Sequence, residues 1–224
     1  MTDFVDEILA KSLATHPFLC QIGGKHPNLK EIYRLLANAR GFSAGQGQWY
    51  ASLIKRIDNP SIQALLASQM NDEFGGDDPS KTHLSLYDEL LRGLEQALDA
   101  DVPEGKMGLA PGQRLTSRAE ACYHSPSVYQ AIGTVIAAEI RALQFNRWLG
   151  EIMQRQNKID LAQFSWYREH AEMEPHHAKD SERIANMLEA EEKREAAVGA
   201  RAFDDVLWAF LDEMLAGSPG TIPA

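Results

Sequence analysis

Residues 167–180 read YREHAEMEPHHAKD, and this stretch places His170, Glu174 and His177 at steps of four and three residues. Because residues three and four apart share one face of an α-helix, the spacing would bring these side chains together within two turns. Imidazole and carboxylate groups are ligands that first-row transition metals accept. The stretch therefore predicts a helix that carries part of a metal site, provided that the rest of the chain supplies partner ligands.

The remaining sequence also shows the apolar spacing and the cap residues of helices. The predicted helices cover residues 3–13, 29–57 with an interruption near Gly41, 59–75, 78–94, 120–124, 125–153, 160–180 with a break at Pro175, and 195–215. Residues 16–24 and 99–115 are predicted loops. Since no alternating pattern of strand residues is visible, the sequence predicts an all-α, single-domain bundle of about seven helices over residues 1–224.

Composition and charge narrow the function. The 224 residues carry a formal net charge of −10 without a basic block, which argues against nucleic acid and anionic membranes as partners. There is no long apolar run, and the N-terminus is acidic, unlike a signal peptide. The two cysteines, Cys20 and Cys122, form no disulfide framework. These features lead us to expect a cytoplasmic protein that acts on a small molecule.

Three further residues are candidate ligands. Glu73 precedes the Gly75–Ser80 turn and His83 follows it, so the turn would fold one against the other. Glu139 lies in the apolar sequence IAAEI of the longest predicted helix, where a buried carboxylate is costly unless it is paired or bound to a cation. The set of three carboxylates and three imidazoles suits a pair of first-row metals.

This pattern, Glu73-x9-His83, then Glu139, then His170-x3-Glu174-x2-His177, resembles the haem-oxygenase-like dimetal oxidases, relatives of the CADD, TenA and PqqC proteins. One departure is Glu174, where members of that family mostly carry Asp. The resemblance implies a haem-oxygenase-like fold and six metal ligands at these positions. It also implies a homodimer, because dimers are common in the wider fold.

The resemblance further implies two ferrous ions, with manganese as a possible substitute, and O2 as co-substrate in the oxidation of a small organic molecule such as an amino acid or fatty acid. CADD-like proteins oxidise one of their own tyrosines, so Tyr87 and Tyr167, which lie near ligand positions in sequence, are redox candidates for the catalytic site. Packing in the core is the alternative role for both.

Two other functions remain open at the level of sequence. One is a metal-free enzyme of the same fold, TenA-like or PqqC-like; the first would need a nucleophilic cysteine in the long helix, and Cys122 precedes that helix. The other is a non-enzymatic helical binding module, whose function would survive replacement of His170.

Overall fold

The computed structural model describes residues 4–98, 109–155, 159–160 and 164–218. Within these ranges the chain forms α1 (Phe4–Ala10), α2 (Pro17–Ile22), α3 (Leu29–Ile54), α4 (Pro60–Glu73), α5 (His83–Ala97), α6 (Ala110–Tyr123), α7 (Val128–Met153), α8 (Ser165–Met187) and α9 (Ala190–Ala216). Two 3-10 turns, Leu13–Thr15 and Pro79–Lys81, complete the regular structure of the described ranges, which contain no strand. The all-α prediction is confirmed, with nine α-helices in these ranges rather than about seven.

Polar side chains fix the helix starts that position the site. Asn59 accepts hydrogen bonds from the backbone N–H groups of the first turn of α4, as its sequence with Pro60 predicts. The side chain of Thr82 accepts a hydrogen bond from the backbone N–H of Ser85, so α5 begins at His83. The predicted start at Asp78 is a separate 3-10 turn instead, so His83 becomes the first residue of its helix.

Two predicted interruptions are wrong. Helix α3 continues through Gly41, where a Cβ would lie 2.7 Å from Thr116 Oγ1; the glycine allows α6 to approach rather than breaking the helix. Helix α8 continues through Pro175. Proline removes the hydrogen bond to the carbonyl of Ala171, but both residues are on the exposed face, where water can bind that carbonyl.

Two predicted loops are partly helical. Residues 17–22 form α2, which begins where His16 Nδ1 accepts from Phe18 N–H. Helix α6 begins at Ala110, so the predicted short helix 120–124 is mainly its last turn. The rest of the predicted 99–115 loop, residues 99–108, lies outside the described residues.

Helix α7 is the central element, packed against both α8 and α9. Residues 131–141 are buried without interruption, and this run places Glu139, only 3% exposed, among apolar neighbours. No helix among the described residues has the length and apolarity needed to cross a membrane. The buried carboxylate on α7 is the point around which the site is arranged.

Candidate metal centre

The six predicted ligands come from four helices and converge at the inner side of the bundle. Glu73 ends α4, His83 begins α5, Glu139 lies in the middle of α7, and α8 supplies the other three. They form two groups, which we call the first triad and the second triad. The first triad is Glu73, His83 and His170; the second triad is Glu139, Glu174 and His177.

The first triad is held together by short contacts. His83 Nδ1 lies 2.7 Å from Glu73 Oε2 and 3.2 Å from His170 Nε2. The pKa of Glu73 is lowered to about 2, because the charge of His83 and its hydrogen bond outweigh burial, which acts in the opposite direction. Burial and the nearby charge of His83 lower the pKa of His170 to about 3. His83 therefore links the other two members of the first triad, whereas among the described residues only the second triad has ligand atoms that all lie within 4.8 Å of one another.

The second triad is more deeply buried. One ligand atom of each of its three residues lies within 4.8 Å of those of the other two, and His177 Nδ1 lies 3.2 Å from Glu139 Oε2. Burial, followed by the charge of Glu139, raises the pKa of Glu174 well above its usual range. Burial opposes protonation of His177, but the hydrogen bond and charge of Glu139 raise its pKa to about 10. Two buried carboxylates this close are a favourable place for a cation.

Outer contacts select which imidazole nitrogen faces each triad. His170 Nδ1 lies 2.6 Å from the carbonyl oxygen of Trp166, which leaves Nε2 toward the first triad. His177 Nε2 lies 3.1 Å from Asp72 Oδ2, which leaves Nδ1 toward the second. Metal-bound histidines characteristically donate their other N–H to such acceptors. Asp72 is a site residue that sequence reasoning missed, although it directly precedes Glu73.

Tyr50 is a second residue that sequence reasoning missed. It is completely buried, and its hydroxyl donates a hydrogen bond to Glu139 Oε1. Burial and the charge of Glu139 raise the pKa of Tyr50 well above its usual range, so it remains a donor. This contact fixes one oxygen of Glu139 and leaves Oε2 facing His177.

The two tyrosines singled out from the sequence are placed differently. Tyr87 lines the cavity described below, and its ring stacks near His83 with centroids 6.1 Å apart. Its hydroxyl, however, donates to the Leu36 carbonyl oxygen at 2.8 Å rather than to a ligand. Tyr167 is not among the described residues that line the cavity, and its hydroxyl lies against Gly150 of α7. Neither hydroxyl is directed at the triads, which favours the packing role.

A cavity of about 130 Å³ adjoins the triads. Glu73, His83, Glu139 and Glu174 form part of its wall. Most of the other lining side chains are apolar: Leu13, Leu35, Ala39, Phe42, Tyr87, Leu115, Ala138, Ala142, Phe145, Trp166, Phe203, Leu207, Phe210 and Leu211. The cavity therefore offers an apolar molecule access to the candidate metal centre.

The turn between α4 and α5 sets the first triad, and Gly75 makes the turn possible. Gly75 has φ +84°, and a Cβ there would collide with the Asp78 carbonyl oxygen and lie 2.7 Å from Lys81 C. The left-handed conformation alone costs a residue other than glycine about 1–2 kcal/mol. We expect Gly75→Ala to lower the free energy of unfolding by more than this amount and to weaken Mn²⁺ binding at the first triad. Denaturant titration and metal titration measure the two effects.

Gly76→Ala is the matched control for Gly75→Ala. Gly76 also has positive φ, +59°, but the nearest atom to a Cβ is Asn71 Nδ2 at 3.8 Å. It should show only the conformational cost and unchanged metal affinity. Equal effects of the two substitutions on metal binding would contradict this role of the turn.

Comparison with known proteins assigns the chain to a family. Residues 34–208, a range that includes all six candidate ligands, match the family described as iron-containing redox enzyme. The chain belongs to this family of iron-containing redox enzymes. No curated protein matches the sequence.

Two crystal structures of a CADD-like protein of unknown function from Nostoc punctiforme PCC 73102 share the fold. One has a TM-score of 0.74 and 16% identity, and the match covers 95% of this chain and 94% of that chain. The other has a TM-score of 0.73 and 15% identity, with coverage of 98% and 96%. The family match and these structures confirm the resemblance inferred from the sequence.

Proposed function

We propose that this protein is an O2-dependent, non-haem di-iron oxidase or oxygenase that acts on a small, largely apolar organic molecule. The observation that carries the proposal is the convergence of three carboxylates and three imidazoles beside an apolar cavity, whose wall includes Glu73, His83, Glu139 and Glu174. The donor set is the one that ferrous iron accepts, and manganese can occupy the same set. Membership of the iron-containing redox enzymes supports iron.

Each triad would hold one metal. In the first, His83 Nδ1 contacts both Glu73 Oε2 and His170 Nε2. In the second, the ligand atoms of Glu139, Glu174 and His177 all lie within 4.8 Å of one another. The fully buried Oε2 of Glu174 has no hydrogen-bond partner, which fits a ligand atom better than a structural carboxylate. Bound iron would supply the reaction with O2. Tyr50 and Asp72 hold two of the ligands in place, and the apolar wall limits the access of water.

The cavity favours a fatty acid or similar chain over an amino acid as the substrate. Arg141 is the only lysine or arginine among the described residues that line it, and Asp204 binds that guanidinium through two contacts, Nε–Oδ1 at 2.8 Å and Nη2–Oδ2 at 2.5 Å. The Arg141 charge is therefore already paired. A polar end group of the substrate would meet the metals, and the apolar remainder would lie against leucine and phenylalanine side chains.

The proposal is tested by loading the protein with ferrous iron without oxygen and measuring O2 consumption with panels of fatty acids and amino acids. We expect uptake that a member of the fatty-acid panel accelerates and that His170→Ala abolishes. Iron-loaded protein without substrate-dependent O2 uptake in either panel, or activity retained in His170→Ala, would contradict the proposal. Absence of uptake would favour a binding module, and activity retained in His170→Ala would favour a metal-free enzyme.

Filling the cavity should separate substrate binding from metal binding. We expect Ala39→Phe to lower turnover of a fatty acid at least tenfold without changing the number of metals bound, because Ala39 lines the cavity but contributes no ligand. The matched control is Ala51→Phe, an exposed position on the same helix, which should leave turnover unchanged. Unchanged turnover in Ala39→Phe would contradict the use of this cavity by the substrate.

A homodimer and a cytoplasmic location remain predictions.

A further inference from the structure

Among the described residues, the side chain of Asn146 contacts Glu174 from outside the two triads. It lies on α7 seven residues, or two helical turns, after Glu139 and is only 7% exposed. Its Nδ2 donates a hydrogen bond to Glu174 Oε1 at 3.0 Å. The other carboxylate oxygen, Oε2, is buried without a partner. The amide therefore engages one oxygen of Glu174 and leaves the second available.

This arrangement has a consequence for a glutamate ligand. A carboxylate has two equivalent oxygens, so the side chain of Glu174 could present one oxygen, or both, to a cation. The hydrogen bond from Asn146 engages one of these oxygens and so disfavours binding of a cation through both. A carboxylate oxygen of Glu174 already lies within 4.8 Å of ligand atoms of Glu139 and His177.

Asn146 is poorly explained as an ordinary core residue. Its own Oδ1 is buried and has no hydrogen-bond partner in the described structure, although it lines the cavity. An unsatisfied buried acceptor costs about 1–3 kcal/mol, so an apolar side chain of similar volume would be favoured at this position if packing were its only role. The contact to Glu174 gives a reason for an amide here.

We infer that Asn146 is a positioning residue that holds Glu174 so that Oε2 alone binds the metal of the second triad. The inference rests on the proposed function, because it requires a metal at that triad. It assigns a binding mode to Glu174, with one oxygen on the metal and the other on the amide.

The test uses metal-free protein titrated with Mn²⁺ in competition with a chelator, together with the infrared difference spectrum of metal binding. Wild-type protein should show the wide separation of carboxylate stretching bands that one-oxygen binding produces. Asn146→Leu, which keeps the branched shape of the side chain but removes the donor, should weaken binding at the second triad by about 10- to 100-fold and narrow that separation. Asn146→Ala serves as the second variant, and circular dichroism checks the folding of each.

The control is Arg147→Ala, the next residue on α7, which is exposed and should leave affinity and spectrum unchanged. Absence of Mn²⁺ binding by the wild type would overturn the proposed function itself. Mn²⁺ binding by the wild type with a two-oxygen spectrum, or equal affinity and spectrum in the folded variants, would overturn only the role of Asn146.

Discussion

Replacement of Glu174 by glutamine should abolish metal binding at the second triad and at the same time make the metal-free protein more stable. In the metal-free protein Glu174 Oε2 is buried without a partner, and the charge of Glu139 is close. Glutamine can still accept the hydrogen bond from Asn146, and its NH2 group becomes a donor toward Glu139. We expect a gain of about 1–3 kcal/mol in the free energy of unfolding, the usual cost of an unsatisfied buried group.

The gain from Glu174→Gln should depend on pH. Burial and Glu139 raise the folded-state pKa of Glu174 well above its unfolded value, so between these two values the folded state binds more protons than the unfolded state. The contribution of Glu174 to the free energy of unfolding therefore falls as pH rises above the pKa of Glu174 in the unfolded state. Denaturant titrations in a chelator should show a larger gain at pH 8 than at pH 5. A variant that is less stable without metal, or that still binds metal at the second triad, would contradict the ligand role of Glu174.

Replacement of Asp204 by alanine should have the largest effect on stability. The side chain of Arg141 is 2% exposed and that of Asp204 12%, and the guanidinium also donates to the carbonyl oxygens of Ile8 and Lys11 near the N-terminus. Removing one partner of a buried ion pair leaves an uncompensated charge and costs about 3–5 kcal/mol. Denaturant titration of Asp204→Ala should show this loss, while the folded protein keeps its metal content.

Two comparisons control for the Asp204 prediction. Asp88→Ala removes the partner of Arg40 in a pair whose side chains are 45% and 37% exposed, and it should cost less than about 1 kcal/mol. The double replacement Arg141→Met with Asp204→Leu should recover most of the lost stability, because no charge remains buried. Loss of metal in folded Asp204→Ala would contradict a purely structural role for the pair and place Arg141 in the site.

The sequence is sufficient to predict the all-α class, most of the long helices and the side chains that carry the clearest chemistry. The four-and-three spacing of His170, Glu174 and His177 predicts one face of α8, and that face is buried. Glu139 was recognisable because a carboxylate in an apolar helix needs a partner. Both patterns lie within a single helix, so they can be recognised from the sequence of that helix alone.

Such local patterns do not reveal contacts between elements that are distant in sequence. Tyr50 is 89 residues from Glu139, Asp72 is 105 from His177, and Asn146 is 28 from Glu174. Nothing in the local sequence around these residues separates them from ordinary core or surface side chains. The same limitation explains the wrong helix interruptions at Gly41 and Pro175, where packing and solvent exposure override the local preference.

The central claim, a pair of metals held by two triads, is tested most directly by anomalous diffraction at the iron edge. Crystals would be grown from protein loaded with ferrous iron in the absence of O2. We predict two peaks, one bounded by Glu73, His83 and His170 and the other by Glu139, Glu174 and His177. A single peak, or none at these residues, would contradict the claim.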